Sequence, residues 1–296
     1  MQKLMTADAI PDAASGALTA SERWRRLLPG RLVEFWLRAQ SVLLYVFLYL
    51  PIAVVVIFAF NDSRRVTIWR GFTTKWFATV WSDPTWSTAL RVSVTIATLN
   101  MVIAVTLGTL AALGLRAAPG WLRTVVEAVV YTTIITPEIV VAIASLLYFI
   151  LVLPLGQGIQ SMVITHAVYN TSIVTLVVGA RLAGMDHTLE EAAADLGATP
   201  LAAFWQVTLP QLFPAILAGG LLAFTFSFDD FILSNFLSSA GTTPLPVRLF
   251  SSVQFGVSPV YNALAATMLA LTLSSIVVAQ VVLRRSGRRA AADGTA

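Results

Sequence analysis

Six long apolar runs constrain the fold of this chain more than any other feature of its sequence. Each is close to the roughly 20 residues that a helix needs to cross a bilayer. The runs lie at about residues 40–60, 90–114, 124–153, 158–181, 212–237 and 262–283. Because they are continuous rather than alternating, backbone hydrogen bonding inside a membrane requires helices and not a barrel of strands. Only 11% of the residues are charged, against about 25% in soluble domains. We therefore predict an all-α polytopic membrane protein with six transmembrane helices.

The basic residues outside the apolar runs predict the orientation of the chain. If the N terminus is cytoplasmic, thirteen lysines and arginines fall on the cytoplasmic side and six fall outside. Cytoplasmic loops are enriched in basic residues, so we expect both termini and the loop over residues 183–211 to be cytoplasmic. These flanking arginines also explain the net charge of +4, and we expect no nucleic-acid partner. Pro137 lies in the third run, where it predicts a kink.

The terminal segments lie outside the predicted membrane domain, which covers residues 40–285. Residues 1–39 are predicted to form a cytoplasmic tail, disordered at first and then a basic segment on the membrane surface over residues 22–38. A cleaved signal peptide is the alternative, but the following apolar run is too long for one. Residues 286–296 are predicted to be a second cytoplasmic tail.

A polar stretch from Thr188 to Pro210, here called the elbow, interrupts the apolar pattern in the predicted cytoplasmic loop. Thr188 and Glu191 have the spacing of a capping box, so a short helix should begin at this threonine. Gly197 suits the end of that helix, and Thr199 followed by proline predicts the start of a second. We expect two short helices, the second ending with the elbow just before the fifth run. Such a helix–turn–helix on a membrane surface requires a partner.

The spacing of residues in the elbow resembles a known motif. From Glu191 the sequence reads Glu-Ala-Ala, three residues, Gly197, nine residues and then Val-Thr-Leu-Pro, ending at Pro210. This resembles the EAA loop of permease subunits of ATP-binding cassette (ABC) importers, with Val207 in place of isoleucine. The resemblance covers about residues 40–285 and implies a MetI-like permease fold. An amphipathic surface helix without a partner is the alternative, but it does not explain the spacing as far as Pro210.

In the family that the elbow resembles, this loop docks on a separate ATPase. The resemblance implies that closure of an ATPase dimer on ATP moves the permease between inward- and outward-facing states in the bacterial inner membrane. The residues expected to form the ATPase contact are Glu190, Glu191, Ala192, Ala193, Asp195, Gly197, Leu209 and Pro210. The partners implied are two ATPase subunits, a second, homologous permease subunit in a heterodimer, and a periplasmic or extracellular solute-binding protein.

The sequence gives no indication of catalysis by this chain. It has no G-x-x-x-x-G-K-[ST] phosphate loop, so we expect ATP and Mg on the partner ATPase and no cofactor here. The chain has no cysteine, and its two histidines, His166 and His187, are too few and too far apart for the usual zinc sites. We therefore expect no metal site and no enzyme activity.

Polar and ionisable residues inside the apolar runs are candidates for a substrate pathway, because charge is costly in a membrane. The candidates are Asp229, Asp230, Ser227, Ser234 and Phe228 in the fifth run, Glu138 in the third, and His166 and Asn170 on one helix face of the fourth. They include acids but no lysine or arginine, which favours a cationic substrate, and aromatic rings also attract ammonium groups. Two roles stay open for Glu138. It either lines the pathway, or it bonds to His166 or to backbone freed by Pro137.

The last third of the chain resembles the spermidine/putrescine permeases. Three elements carry this resemblance: Ser-x-Asp-Asp at residues 227–230, Thr-x-Pro with Leu-Pro in the next loop, and Gly-Val-x-Pro-x-x-Asn-Ala at residues 256–263. The resemblance implies a polyamine, putrescine or spermidine, as substrate. A permease for another amine-bearing solute, such as an opine, an amino acid or another organic cation, stays open. A secondary transporter or a membrane enzyme is a third hypothesis, which leaves the elbow unexplained.

Overall fold

The structure is a computed structural model that describes residues 30–63, 68–186, 188–254 and 258–293. These residues form helices joined by loops, with an isolated β-bridge between Asn61 and Phe72. The helices are α1 (Gly30–Phe58), α2 (Lys75–Ser82), α3 (Pro84–Ala117), α4 (Gly120–Ile135), α5 (Glu138–Leu151), α6 (Ile159–Ala183), α7 (Thr188–Asp195), α8 (Pro200–Ala203), α9 (Leu209–Asp229), α10 (Ile232–Leu237), α11 (Leu245–Gln254) and α12 (Pro259–Asp293). The predicted all-α class is confirmed.

Among the described residues, four helices are long and apolar enough to cross a bilayer. They are Glu34–Phe58, Pro84–Ala117, Ile159–Ala183 and Pro200–Asp229, and the bent pair α4 and α5 makes five if it is one span. The sixth predicted run falls in α12, where the apolar stretch among the described residues, Pro259–Ser274, is shorter than a span. Six spans therefore remain a prediction, while several are present.

The kink expected at Pro137 is a full break between α4 and α5. The two helices meet at an angle of 106°. The backbone of Thr136 and Pro137 is extended between them, with ψ values of 128° and 132°. Proline lacks an N–H and disfavours helical backbone in the preceding residue, which explains why the first helix stops here. Glu138 consequently begins a new helix instead of lying in the middle of a span.

The fifth predicted run departs from expectation at both ends. At its start, the second helix of the elbow does not end at Leu209–Pro210 but continues into α9 through a π-helical turn over Phe204–Thr208. The wider turn bonds the Leu209 N–H to the Phe204 carbonyl, and it accommodates the missing N–H of Pro210. At its end, α9 stops at Asp229 because Asp230 adopts an extended backbone.

The central core lies where α3, α6 and α9 pack together. Ala104 and Ala112 of α3, Val174 and Val178 of α6, and Ala223 of α9 belong to one buried cluster. Two glycines let the helices approach closely at Val174: a Cβ on Gly108 would lie 2.6 Å from the Val174 Cβ, and one on Gly219 would lie 3.3 Å from its Cγ1. Small residues at such crossings are typical of helix packing in membranes.

Two compact units divide the chain, Met1–Val54 and Val55–Ala296. In the first, the described side chains from residue 34 to residue 50 are almost all exposed on α1. The expected terminal tail over residues 1–39 is described only from residue 30, and there it is helical. The predicted surface segment before residue 30 lies outside the described residues, as does His187.

Candidate functional site

The first helix of the elbow, α7, begins differently from the capping-box prediction. Thr188 is the first residue of the helix and not its cap. Its backbone N–H donates to the Asp186 carboxylate at 2.9 Å, so this aspartate supplies the capping acceptor. The sequence prediction missed Asp186 because the Thr188–Glu191 spacing fits the capping box equally well.

The turn at Gly197 and the start of the second elbow helix follow the sequence prediction. Gly197 has φ +85°, a left-handed backbone that favours glycine, and it directly follows the last turn of α7. The next N–H, of Ala198, bonds back to the Ala193 carbonyl at 3.0 Å. The Thr199 hydroxyl then accepts the N–H of Ala202 at 3.3 Å and caps α8. The predicted helix end and the second cap are both confirmed.

The outer face of the elbow carries apolar side chains beside acidic ones. Glu191, Ala192 and Asp195 are exposed, and Ala193 is half-buried. The large exposed side chains are Leu189, Leu196, Leu201 and Trp205, with Leu196 90% exposed. Contiguous exposed apolar side chains of this kind mark surfaces that contact another protein or a membrane.

Glu190, one residue earlier, faces the opposite way and contacts this chain. Its two carboxylate oxygens bind the Arg116 guanidinium at 3.0 and 2.5 Å. One of them also accepts the Thr208 hydroxyl at 2.8 Å. Among the residues predicted for the ATPase contact, Glu190 is therefore held within the chain. Leu209 and Pro210 belong to the helix that runs into α9 and do not form a separate terminus.

The fourth and fifth apolar runs meet at a buried group of polar residues, here called the polar cluster: His166, Ser227, Asp230 and Ser234. The His166 Nδ1 lies 2.7 Å from the Ser227 hydroxyl, and its Nε2 lies 3.3 Å from an Asp230 carboxylate oxygen. The Ser234 hydroxyl is 3.5 Å from the same Nε2. Because an ionised carboxylate only accepts, the Nε2 that faces Asp230 carries a hydrogen. Four predicted pathway residues are thus brought together on one imidazole.

Asp230 has a structural role at the break between α9 and α10. Its carboxylate accepts the backbone N–H groups of Leu233 at 3.3 Å and Ser234 at 2.7 Å, which caps α10. This local bonding competes with continuation of the helix and accounts for the interruption of the predicted fifth run. The Asp230 side chain is only 8% exposed and is satisfied by the backbone and by His166.

Asp229 has a different environment from its neighbour Asp230. It is the last residue of α9 and is exposed. Among the described residues no hydrogen bond or ion pair holds its carboxylate. Phe226, three residues earlier, is 50% exposed on the same side of the helix. Phe228, the aromatic residue predicted to line the pathway, is instead buried to 1% exposure and stacks on Phe224 at 5.8 Å.

Glu138 lies at the start of α5, close enough to Asp230 and His166 to interact with them electrostatically. The ring nitrogens of His166 contact Ser227, Asp230 and Ser234, and among the described residues no hydrogen bond or ion pair joins the ring to Glu138. No hydrogen bond from Glu138 to the backbone near Pro137 is present among the described residues. Glu138 is a half-buried carboxylate beside the break in the third run, and its role stays a prediction.

Asn170 lies one helical turn from His166, as the sequence predicts, but it belongs to a different contact. Its amide nitrogen donates to the Asn100 side-chain oxygen at 3.3 Å. The amide nitrogen of Asn100 in turn donates to the Ala223 carbonyl at 2.9 Å. Asn100 was missed by sequence reasoning, although a lone asparagine in the second apolar run was a visible signal.

Within the described residues, no group of three acids or histidines could hold a metal.

The apolar helices, the elbow and the polar cluster define a helical membrane protein of the transport class. The chain belongs to the family of binding-protein-dependent transport system inner membrane components, which it matches over residues 104–290. Membership of this family makes it a component of a membrane transport system and not an enzyme in its own right.

Two curated relatives are similar over most of the chain. The putrescine transport system permease protein PotI of Escherichia coli K12 is 37% identical over 245 residues, which are 79% of this chain and 85% of the relative. The spermidine/putrescine transport system permease protein PotC of Haemophilus influenzae is 35% identical over 254 residues, which are 86% of this chain and 98% of the relative.

Two solved structures share the fold at low sequence identity. A bacterial ABC transporter that imports the acidic polysaccharide alginate has a TM-score of 0.71 at 17% identity, covering 89% of this chain and 99% of that one. The MetNI methionine ABC transporter has a TM-score of 0.55 at 18% identity, covering 71% and 95%. The predicted MetI-like permease fold is confirmed.

Proposed function

We propose that this chain is a permease subunit of an ATP-binding cassette importer and forms half of the translocation pathway for a polyamine, putrescine or spermidine. The observation that carries this proposal is the exposed carboxylate of Asp229, which ends α9 next to Asp230. A further acid, Glu138, begins α5 at the break in another apolar run and interacts electrostatically with Asp230. Relatives named for putrescine and spermidine transport support the same substrate class.

Asp229 and Phe226 provide the chemistry that a polyamine needs. A carboxylate attracts an ammonium group, and the face of an aromatic ring adds a weaker electrostatic attraction. Both side chains are exposed at the end of α9. Within the described residues, no lysine or arginine forms an ion pair with Asp229, Asp230 or Glu138, so no fixed cation of this chain competes with the substrate at these contacts.

Asp229 and Asp230 have different roles in this proposal. Asp230 is committed to His166 and to the first turn of α10. Its contribution is to stop α9 at residue 229, so that Asp229 ends the helix with its carboxylate available. Glu138 supplies a further carboxylate at the break between α4 and α5, where it interacts electrostatically with Asp230. More than one carboxylate suits a substrate that carries two or more ammonium groups.

The elbow is proposed to transmit ATP-driven movement from a separate ATPase. The exposed side chains of Leu189, Glu191, Leu196 and Leu201 would enter a groove of the ATPase. Ala192 and Ala193 would allow close approach because they project no further than a methyl group. ATP and Mg would be bound by the two ATPase subunits, and this chain would bind neither.

The proposed assembly follows the family pattern. A second, homologous permease subunit would complete the pathway, and a periplasmic binding protein would deliver the substrate, as one does in the alginate transporter solved with its loaded periplasmic protein. The chain would lie in the bacterial inner membrane with six spans and both termini in the cytoplasm. The excess of basic residues on that side supports this orientation.

Competitive uptake tests the substrate. The chain is expressed with its second permease, ATPase and binding protein in cells that lack other polyamine importers, and labelled putrescine is offered with excess unlabelled competitors. We expect putrescine or spermidine to abolish labelled uptake and amino acids, opines and other organic cations to leave it unchanged. Stronger competition by an amino acid, an opine or another cation would assign the importer to that solute. Uptake that persists without the ATPase would indicate a secondary transporter.

A further inference from the structure

Arg116 and Glu190 join two segments of the chain that are far apart in sequence. Arg116 lies in the last turn of α3, and Glu190 is the third residue of α7 in the elbow. Their contact is bidentate, with both terminal guanidinium nitrogens on the two carboxylate oxygens at 3.0 and 2.5 Å. Two parallel bonds of this kind fix orientation as well as distance.

Thr208 adds a third residue to this contact. Its hydroxyl donates to the Glu190 carboxylate at 2.8 Å, and the residue is only 5% exposed. Thr208 ends the π-helical turn that leads into α9. We call Arg116, Glu190 and Thr208 the clasp. It connects the end of α3, the first helix of the elbow and the start of α9.

The helices that the clasp joins also lead to the polar cluster. Further along α3, Asn100 bonds to the carbonyl of Ala223 in α9 and accepts from Asn170 in α6. Between these levels, Val174 of α6 packs against Gly108 and Gly219 with no room for an added Cβ on the former. A displacement of the elbow at the clasp therefore acts on a closely packed group of helices that ends at Asp229.

We propose that the clasp is the positioning device that transmits movement of the elbow to α3, and that Glu190 does not itself contact the ATPase. This inference rests on the proposed docking of an ATPase on the elbow. It separates two adjacent glutamates by role: Glu191 is exposed and would contact the ATPase, while Glu190 fastens α7 to α3 and to Thr208. Without the clasp the ATPase would still bind α7, but some of the movement of α7 would be lost before it reached α3.

A second ion pair nearby provides a matched control. Arg123 and Glu127 of α4 are bonded at 2.7 Å, and Arg116, Arg123 and Glu127 line the same cavity of about 490 Å³. The control pair has the same chemistry, but it lies within one helix at a spacing of four residues. Charge reversal there changes the local charge without disconnecting the elbow from α3.

The test uses the complete complex of this chain with its second permease, ATPase and binding protein, and compares Glu190→Arg, Arg116→Glu and the double exchange. Two quantities are measured: the ATPase that copurifies with the permease, and the number of substrate molecules taken up per ATP hydrolysed. Contacting residues typically show couplings of roughly twofold to a hundredfold. We expect each single variant to retain the ATPase but lose about tenfold in uptake per ATP, and the double exchange to recover most of it. Arg123→Glu should resemble the parent.

Three results would overturn the proposal. Loss of the copurifying ATPase in Glu190→Arg would make Glu190 a docking residue. Uptake per ATP equal to the parent's in the single variants would show that Arg116 and Glu190 are not coupled. A double exchange whose uptake per ATP is no higher than that of either single variant would show the same. If charge reversal prevents insertion, Glu190→Gln is used, which keeps an acceptor for Thr208 and removes the charge; its uptake per ATP must then fall. A parent complex without ATP-dependent uptake, or one in which Glu191→Lys retains the ATPase and its coupling, would instead refute the underlying function.

Discussion

Two adjacent aspartates at the end of α9 have opposite environments. The Asp230 carboxylate accepts hydrogen bonds from two backbone N–H groups and contacts the His166 ring, while Asp229 is exposed. A buried carboxylate is tolerated in an apolar segment when its bonds are satisfied, and an exposed one is available to a ligand. We therefore propose that Asp229 contacts the substrate and that Asp230 shapes the site.

Replacing Asp229 with asparagine is expected to reduce transport without affecting folding. The substitution preserves size and removes the charge that attracts an ammonium group. Contacts to charged groups are worth about 1.5–3 kcal/mol, so uptake at low putrescine concentration should fall by roughly tenfold or more. Uptake kinetics check this, with Glu34→Gln as control because that glutamate forms an exposed ion pair with Arg38 within α1. Kinetics equal to the parent's would reject Asp229 as the substrate contact.

Replacing Asp230 with alanine is expected to destabilise the protein. Alanine removes the cap of α10 and leaves the Nε2 hydrogen of buried His166 without its carboxylate, and the loss of such partners costs about 1–3 kcal/mol. Asp230→Asn, which retains a capping oxygen, should be less damaging. Thermal unfolding of the purified chain in detergent measures both. Equal unfolding temperatures for Asp230→Ala and the parent would show that the polar cluster does not stabilise the break.

At the residue scale, the sequence predicted which residues form the polar cluster better than it predicted which residues bond to each other. Spacings of three and four predicted that Ser227, Asp230 and Ser234 share one helix face. All three contact His166, although the helix breaks at Asp230. The sequence could not assign Asn170 to Asn100, because that contact depends on how α3 packs against α6. Nor could it distinguish the buried Phe228 from the exposed Phe226, since both are apolar residues in one run.

At the scale of elements, the crossing of α3 and α6 is set by a glycine. An added Cβ at Gly108 would lie 2.6 Å from the Cβ of Val174 and 3.0 Å from the carbonyl oxygen of Thr171, whereas one at Gly114 would meet nothing within 4 Å. We expect Gly108→Ala to cost about 1–3 kcal/mol of stability through overpacking. Gly114→Ala on the same helix should be neutral or stabilising by up to about 1 kcal/mol. Unfolding temperatures compare them, and equal effects would contradict the close crossing.

The turn of the elbow makes a second prediction at this scale. Gly197 has φ +85°, which asparagine tolerates and β-branched residues do not. Gly197→Val should misplace α7 and reduce ATP-driven uptake several-fold, while Gly197→Asn should retain most of it. The copurifying ATPase is measured in parallel. Equal uptake by both variants would mean that the conformation of this turn does not matter for coupling.

The elements of the elbow show what local sequence signals can resolve. Gly197 and Thr199 act locally, through backbone conformation and a hydrogen bond three residues away, and both predictions are confirmed. Pro210 indicates a boundary in the sequence because proline lacks an N–H. The π-helical turn before it satisfies the helix without that donor, and the helix continues. Such a compensation depends on the surrounding chain and is not visible in the proline itself.

At the scale of the whole molecule, the elbow and the acidic site lie at the two ends of one packed group of helices. The clasp joins α3 to the elbow, and Asn100 joins α3 to α9 further along. In the proposed assembly, this connection would give an external ATPase a mechanical route to Asp229. The sequence predicted both ends from their motifs, but the route between them depends on contacts between distant residues.

ATP-driven uptake of putrescine into proteoliposomes containing the complete complex tests the central claim most directly. We predict that putrescine accumulates only when ATP is supplied on the ATPase side, and only when this chain and the ATPase are both present. Putrescine entering at the same rate without ATP, or without the ATPase, would contradict that claim.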